Sequence, residues 1–157
     1  MAGSDVSNTL EWLSRGPRKH VMSYLGYIIN GHRFHTSDVE KSTQNSGVSL
    51  EVETICRSSA RDTAQVVEKI CYYGIIRDII LLDYYKFRVP IFKCDWTNIG
   101  NGVKFEDGLL MVKILKRQYQ FERDPFILAS QAKQVFYSMD NDSSNWYVVL
   151  KAPPNLS

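Results

Sequence analysis

The sequence predicts a mainly β fold: a small SH3-like (Tudor/BAH-like) β-barrel of about five strands, with an N-terminal hairpin extension and one or two short helices. Three observations carry that expectation. Apolar, β-branched and aromatic residues are densest from Tyr72 to Trp96, YYGIIRDIILLDYYKFRVPIFKCDW, which reads as two consecutive strands and a tight connection. Turn residues such as Asn30-Gly31 and Asp107-Gly108 punctuate the chain. Strand-like runs also recur at short, regular spacing from Tyr72 onward, as barrels and sandwiches require. The SH3-like assignment itself rests on analogy of strand order.

Taken in order, Ser7 to Ser14 offers a cap at Asn8, Glu11 three residues on, and Leu10, Trp12 and Leu13 as an apolar side, so one short helix is expected before Gly16-Pro17. Arg15, Arg18, Lys19 and His20 follow as a small basic patch. Tyr24–Ile29 and His32–Thr36 flank Asn30-Gly31, the sequence of a type I′ hairpin turn. The polar run Ser42–Gly47 reads as a loop rich in side-chain-to-backbone hydrogen bonds. Val48, Leu50 and Val52 then alternate with Ser49, Glu51 and Glu53, a strand with one wet face. Arg57–Glu68 is polar and shows no convincing period, and its first part is assigned to a variable surface loop.

In the central pair, Arg77-Asp78 interrupts the isoleucines and predicts a bend or bulge. Pro90 has no N–H to give a ladder, so it belongs at an edge, a bulge or a strand start. Asn98–Gly102 and Asp107-Gly108 mark turns before a strand over Leu109–Leu115. Asp124-Pro125 has the form of a helix start, with Phe126–Lys133 forming one or two turns. Lys133–Met139 and Trp146–Lys151 read as a final hairpin, closed by Pro153-Pro154. By parity, Phe92, Cys94 and Trp96 should face inward, as should Val135 and Tyr137. The expected organisation is a helix and linker over 1–20, a hairpin and strand over 21–56, a variable loop over 57–70, the barrel over 71–152 and a tail over 153–157.

Composition bounds the function. The chain has 157 residues, 44% hydrophobic and 12% aromatic, enough for one packed domain. Nineteen basic against seventeen acidic residues give a formal charge of +2, far from the strong bias of a dedicated DNA-binding module. Cys56, Cys71 and Cys94 form no CxxC pair and are odd in number, which points to reduced structural thiols. No apolar h-region opens the chain and no apolar run reaches membrane length, so a soluble, intracellular protein is expected.

The co-linear words GYIINGHRFHT, TQNSGV, YYGIIRDIILLDY, VPIFKCDW, DPFILASQAKQVFY and WYVVLK, spread between Trp12 and Leu150, resemble the plant family called domain of unknown function 4216. That family occurs in proteins encoded by CACTA-type (En/Spm-like) transposons, typically after a transposase region. The resemblance implies a transposon-derived origin and a nuclear location, and it supplies no established activity. Glu106–Gln120 departs from the family pattern, lacking an aromatic-glycine step after the acidic residue and a Gly-Tyr before Asp-Pro.

No catalytic set emerges. Asp78, Asp83, Asp95, Asp107 and Asp124 fall at expected strand ends and turns, where aspartate is common for backbone reasons, so a metal-dependent nuclease remnant is disfavoured. His32 and His35, three apart in a strand, point to opposite faces and would not share a metal. No cofactor is expected. The reading is a non-catalytic binding or scaffolding module whose partner is a protein or a nucleic acid. An aromatic face would use Tyr72, Tyr73, Tyr84, Tyr85 and Trp96, although strand aromatics more often pack cores. Weak nucleic-acid contact would use Arg15, Arg18, Lys19, Lys113, Lys116 and Arg117.

Overall fold

The computed structural model describes residues 2–37, 45–56, 66–113, 125–139 and 145–151. Helix α1 spans Ala2–Arg15, and the strands are β1 (Met22–Tyr24), β2 (Gly26–Ile29), β3 (His32–His35), β4 (Gly47–Cys56), β5 (Val66–Asp83), β6 (Arg88–Trp96), β7 (Val103–Glu106), β8 (Leu109–Lys113), β9 (Phe126–Leu128), β10 (Lys133–Met139) and β11 (Trp146–Lys151). The protein is mainly β and every pairing is antiparallel.

Strand β5 is the organiser. Its first half pairs with β4, from Val66 opposite Cys56 to Ile75 opposite Gly47. Its second half pairs with β6 on the opposite edge, while β1 occupies the edge that β4 has left, Met22 opposite Leu81. The continuous path is β7-β8-β11-β10-β4-β5-β6-β9, with β2 and β3 as a separate hairpin. The path is open: no pairing joins β7 to β9 among the described residues. The closed barrel expected from the sequence is not what the strands form. An 18-residue β5 serves three neighbours along its length, and the strands line two separate cores instead of enclosing one.

Side-chain parity assigns the cores. Ile76 of β5 and Val48 of β4 face one cluster with Phe34, Ile79, Phe92, Cys94, Ile127 and Ala129. Tyr73, one residue out of phase, faces the other, with Val112, Val135 and Tyr137. Two glycines permit the close approaches. A Cβ on Gly47 would lie 2.3 Å from the Val135 carbonyl oxygen, and one on Gly74 would lie 2.7 Å from the Trp96 ring. Trp96 thus covers a gap in the sheet left by a residue without a side chain. The Tyr137 hydroxyl donates to the Gly74 carbonyl at 2.9 Å, tying the second core to the same point.

Several expectations hold. Asn30 and Gly31 have φ of 50° and 79°, as the type I′ turn requires, and Asp107 and Gly108 repeat the pattern at 52° and 76°. The β5–β6 register shifts between Ile76 and Asp78, placing the bulge at Arg77. Arg77 pins it, donating to the Asp95 carboxylate and to the Ser37 hydroxyl. Pro90 lies on the part of β6 that β9 does not cover. Phe92, Cys94, Val135 and Tyr137 are buried and Trp96 is half-buried against the first core.

Others are corrected. Helix α1 begins at Ala2, so Asn8 is inside it and is not its cap. Tyr24–Ile29 is two strands, not one, divided at Leu25 because β1 belongs to β5 and β2 to β3. Val66–Ile70, assigned to a loop, is the start of β5; both faces of this ribbon are largely exposed, so no period betrays it. Phe126–Leu128 is a strand on β6 followed by a single 3-10 turn at Ala129–Gln131, where a helix was expected. The short strand β7 was not anticipated. The loops expected over 38–44 and 57–65 and the cap expected at Asp124 fall outside the described residues.

Candidate functional site: the arginine-aromatic end of the central hairpin

The four residues between β5 and β6, Tyr84-Tyr85-Lys86-Phe87, form the tip of the central hairpin. The Tyr84 N–H donates to the Phe87 carbonyl at 2.9 Å, and the two rings stack with centroids 5.1 Å apart. Tyr85 has φ of 72°, a left-handed conformation, and its N–H donates to Asp83 Oδ1 at 2.8 Å. That turn projects the ring outward, leaving Tyr85 59% exposed.

The N-terminal segment is brought to this tip by backbone pairing. Gly16 ends α1 at φ of 79°, its N–H donating to the Leu13 carbonyl, and the Arg18 N–H donates to the Asp83 carbonyl at 2.7 Å. Pairing of β1 with β5 then continues the stitch. The Trp12 and Tyr85 rings consequently sit 5.7 Å apart. The Arg15 guanidinium lies 5.1 Å over Trp12 and that of Arg18 lies 4.2 Å over Tyr85. The order is cation, ring, ring, cation.

Two carboxylates balance part of this charge. Glu11 pairs with Arg15 along α1 and Asp83 lies 3.5 Å from Arg18. Lys19, Lys86 and Arg88 add three exposed cations, and Arg88 stands directly opposite Asp83 in the ladder. The end therefore carries five cations, Arg15, Arg18, Lys19, Lys86 and Arg88, against Glu11 and Asp83. Its rings accept cations on their faces, and its guanidinium planes offer flat donors to anions and stacking faces to planar ligands.

The structure gathers Arg15, Arg18, Lys19, Tyr84 and Tyr85 from two separate sequence expectations into one surface. It does not form the five-residue aromatic face. Tyr73 is buried in the second core and burial, with Cys71 alongside, raises its pKa. Tyr72 and Trp96 meet edge-on at 6.5 Å, about ten residues of β5 away from the tip, roughly 30 Å. Lys113 ends β8, opposite Trp146 and far along the path from the tip; Lys116 and Arg117 lie outside the described residues. Lys86 and Arg88 were missed, although their signal is plain in YYKFR: basic residues alternate with rings in a connection between strands.

Among the described residues, no group of three or more His, Cys, Asp or Glu side chains is placed to hold a metal ion. Asp83 and Asp95 are engaged by Arg18 and Arg77, and Asp107 forms its hairpin turn. No described helix is long and apolar enough to cross a membrane.

Residues 80–149 match the family model described as Domain of unknown function (DUF4216). The matched segment starts within β5, contains the tip and extends into β11, so Trp12, Arg15 and Arg18 reach it from outside. No curated protein and no solved structure matches the chain.

Proposed function

We propose that the chain is a non-catalytic binding module of a transposon-derived protein, of the kind that follows the transposase in plant CACTA elements, and that its ligand face is the arginine-aromatic end. A nuclear location accords with that origin. The observation that carries the reading is the ladder of Arg15, half-buried Trp12, exposed Tyr85 and Arg18, on a tip held in a left-handed turn. Rings and guanidinium groups held in register by backbone pairing are pre-organised for binding, since little side-chain freedom is left to lose. The family match over residues 80–149 supports the family resemblance from which that origin is inferred, and the flanking residues supply half of the face.

The test is nuclear magnetic resonance of the labelled full chain titrated separately with inorganic triphosphate, a nucleoside monophosphate and trimethyllysine. Amide shifts confined to residues 12–19 and 83–88 with the anionic probes are expected. Shifts centred on Tyr72 and Trp96 with trimethyllysine would move the site to the other end of β5, and the absence of shifts with all three would refute the reading.

A further inference from the structure

We infer that the ligand of this end is single-stranded nucleic acid, an inference that rests on the ligand face proposed above. Three features favour it over a folded protein or a duplex. Rings and cations alternate on a protruding turn, which suits a chain whose bases are unstacked and whose phosphates recur between them. The stacked Tyr84–Phe87 pair and the tilted Trp12–Tyr85 pair gather four rings at one hairpin tip. Guanidinium planes cap both ends of the ladder, and such planes stack on bases as well as pairing with phosphates. A duplex hides its base faces and offers only the phosphates, leaving the rings and the flat guanidinium faces unused.

The two carboxylates set the strength. Glu11 and Asp83 already lie against Arg15 and Arg18 where phosphates would go. A ligand phosphate displaces a carboxylate that is tethered beside its arginine, so binding is weak and salt-sensitive in the native chain. Removing either negative charge while keeping its oxygen acceptor should strengthen it. Asp83→Asn retains the acceptor that holds the Tyr85 N–H, so the turn is kept.

The experiment is fluorescence anisotropy of labelled oligodeoxyuridylate and oligouridylate of about 12 nucleotides, a length within the range of single-strand sites, and of a matched duplex. Single strands should bind more tightly than duplex, and with about three phosphate contacts affinity should fall roughly tenfold for each threefold rise in salt. Glu11→Gln and Asp83→Asn should each tighten binding. Arg18→Gln and Tyr85→Asn, the latter chosen because asparagine tolerates left-handed backbone, should each weaken it at least fivefold, while Lys133→Gln and Lys151→Gln on the β10–β11 hairpin leave it unchanged. Unfolding midpoints of all variants check that the fold is intact. A difference between the two oligonucleotides would distinguish RNA from DNA as the source. Equal affinity for duplex, no binding at low salt, or indifference to the carboxamide variants would overturn the inference; triphosphate shifts at residues 12–19 and 83–88 would then leave the ligand face standing.

Discussion

Replacing Trp96 with alanine separates a packing role from a ligand-cage role. The ring is half-buried, lies over Gly74 and meets Tyr72 edge-on. A fully buried aromatic removes about 150–250 Å² from water, so a half-buried Trp96 contributes about 100 Å², or about 2.5 kcal/mol at 25 cal/mol per Å². The aromatic pair adds about 0.5 kcal/mol. Trp96→Ala should therefore cost about 3 kcal/mol, measured as the shift in urea midpoint times the m-value, with tyrosine fluorescence and circular dichroism as coincident probes. Phe105→Ala, at a position 77% exposed, should stay within about 0.5 kcal/mol and serves as the control. A cost below about 1 kcal/mol for Trp96→Ala, together with loss of trimethyllysine binding, would refute the packing assignment and restore the cage.

Burial raises the pKa of Tyr73 and of Tyr137 above the ordinary 10.0. Their ionisation is resisted only in the folded state, so this stability is complete below pH 10 and is lost as pH rises from there toward the folded values; urea midpoints should fall above pH 10, and less steeply in Tyr137→Phe. Gly47→Ala forces a Cβ against the Val135 carbonyl and the Tyr137 ring, so β4 and β10 must separate, with an expected loss of about 3 kcal/mol by the same assay. Cys71 is exposed while Cys94 is buried with its thiol pKa pushed up, so mass spectrometry after brief treatment with a thiol reagent should find Cys71 modified and Cys94 unmodified until urea unfolds the chain.

Local chemistry was legible in the sequence wherever one residue type has one cause. Asn30-Gly31 demanded a left-handed turn, Arg77-Asp78 broke an alternation and became a bulge, and the strand-like runs Lys133–Met139 and Trp146–Lys151, flanking a polar stretch, pair as the final hairpin. What failed were choices decided by partners distant in sequence. Val66–Ile70 is a strand because β4 lies beside it, not because its own pattern says so, and Leu25 divides two strands because their partners differ. Asp-Pro was read as a helix start, yet Phe126–Leu128 is taken by the open edge of β6. The site was legible only as two disconnected fragments, since nothing local reveals that the Arg18 N–H reaches the Asp83 carbonyl and sets Trp12 beside Tyr85.

Nuclear Overhauser measurements on the full chain test whether α1 and the β5–β6 tip form one surface. Contacts between the Trp12 and Tyr85 rings are expected, with upfield-shifted side-chain protons on Arg18, whose guanidinium lies 4.2 Å above Tyr85. Random-coil shifts for the Arg18 side chain and no Trp12–Tyr85 contact would contradict it.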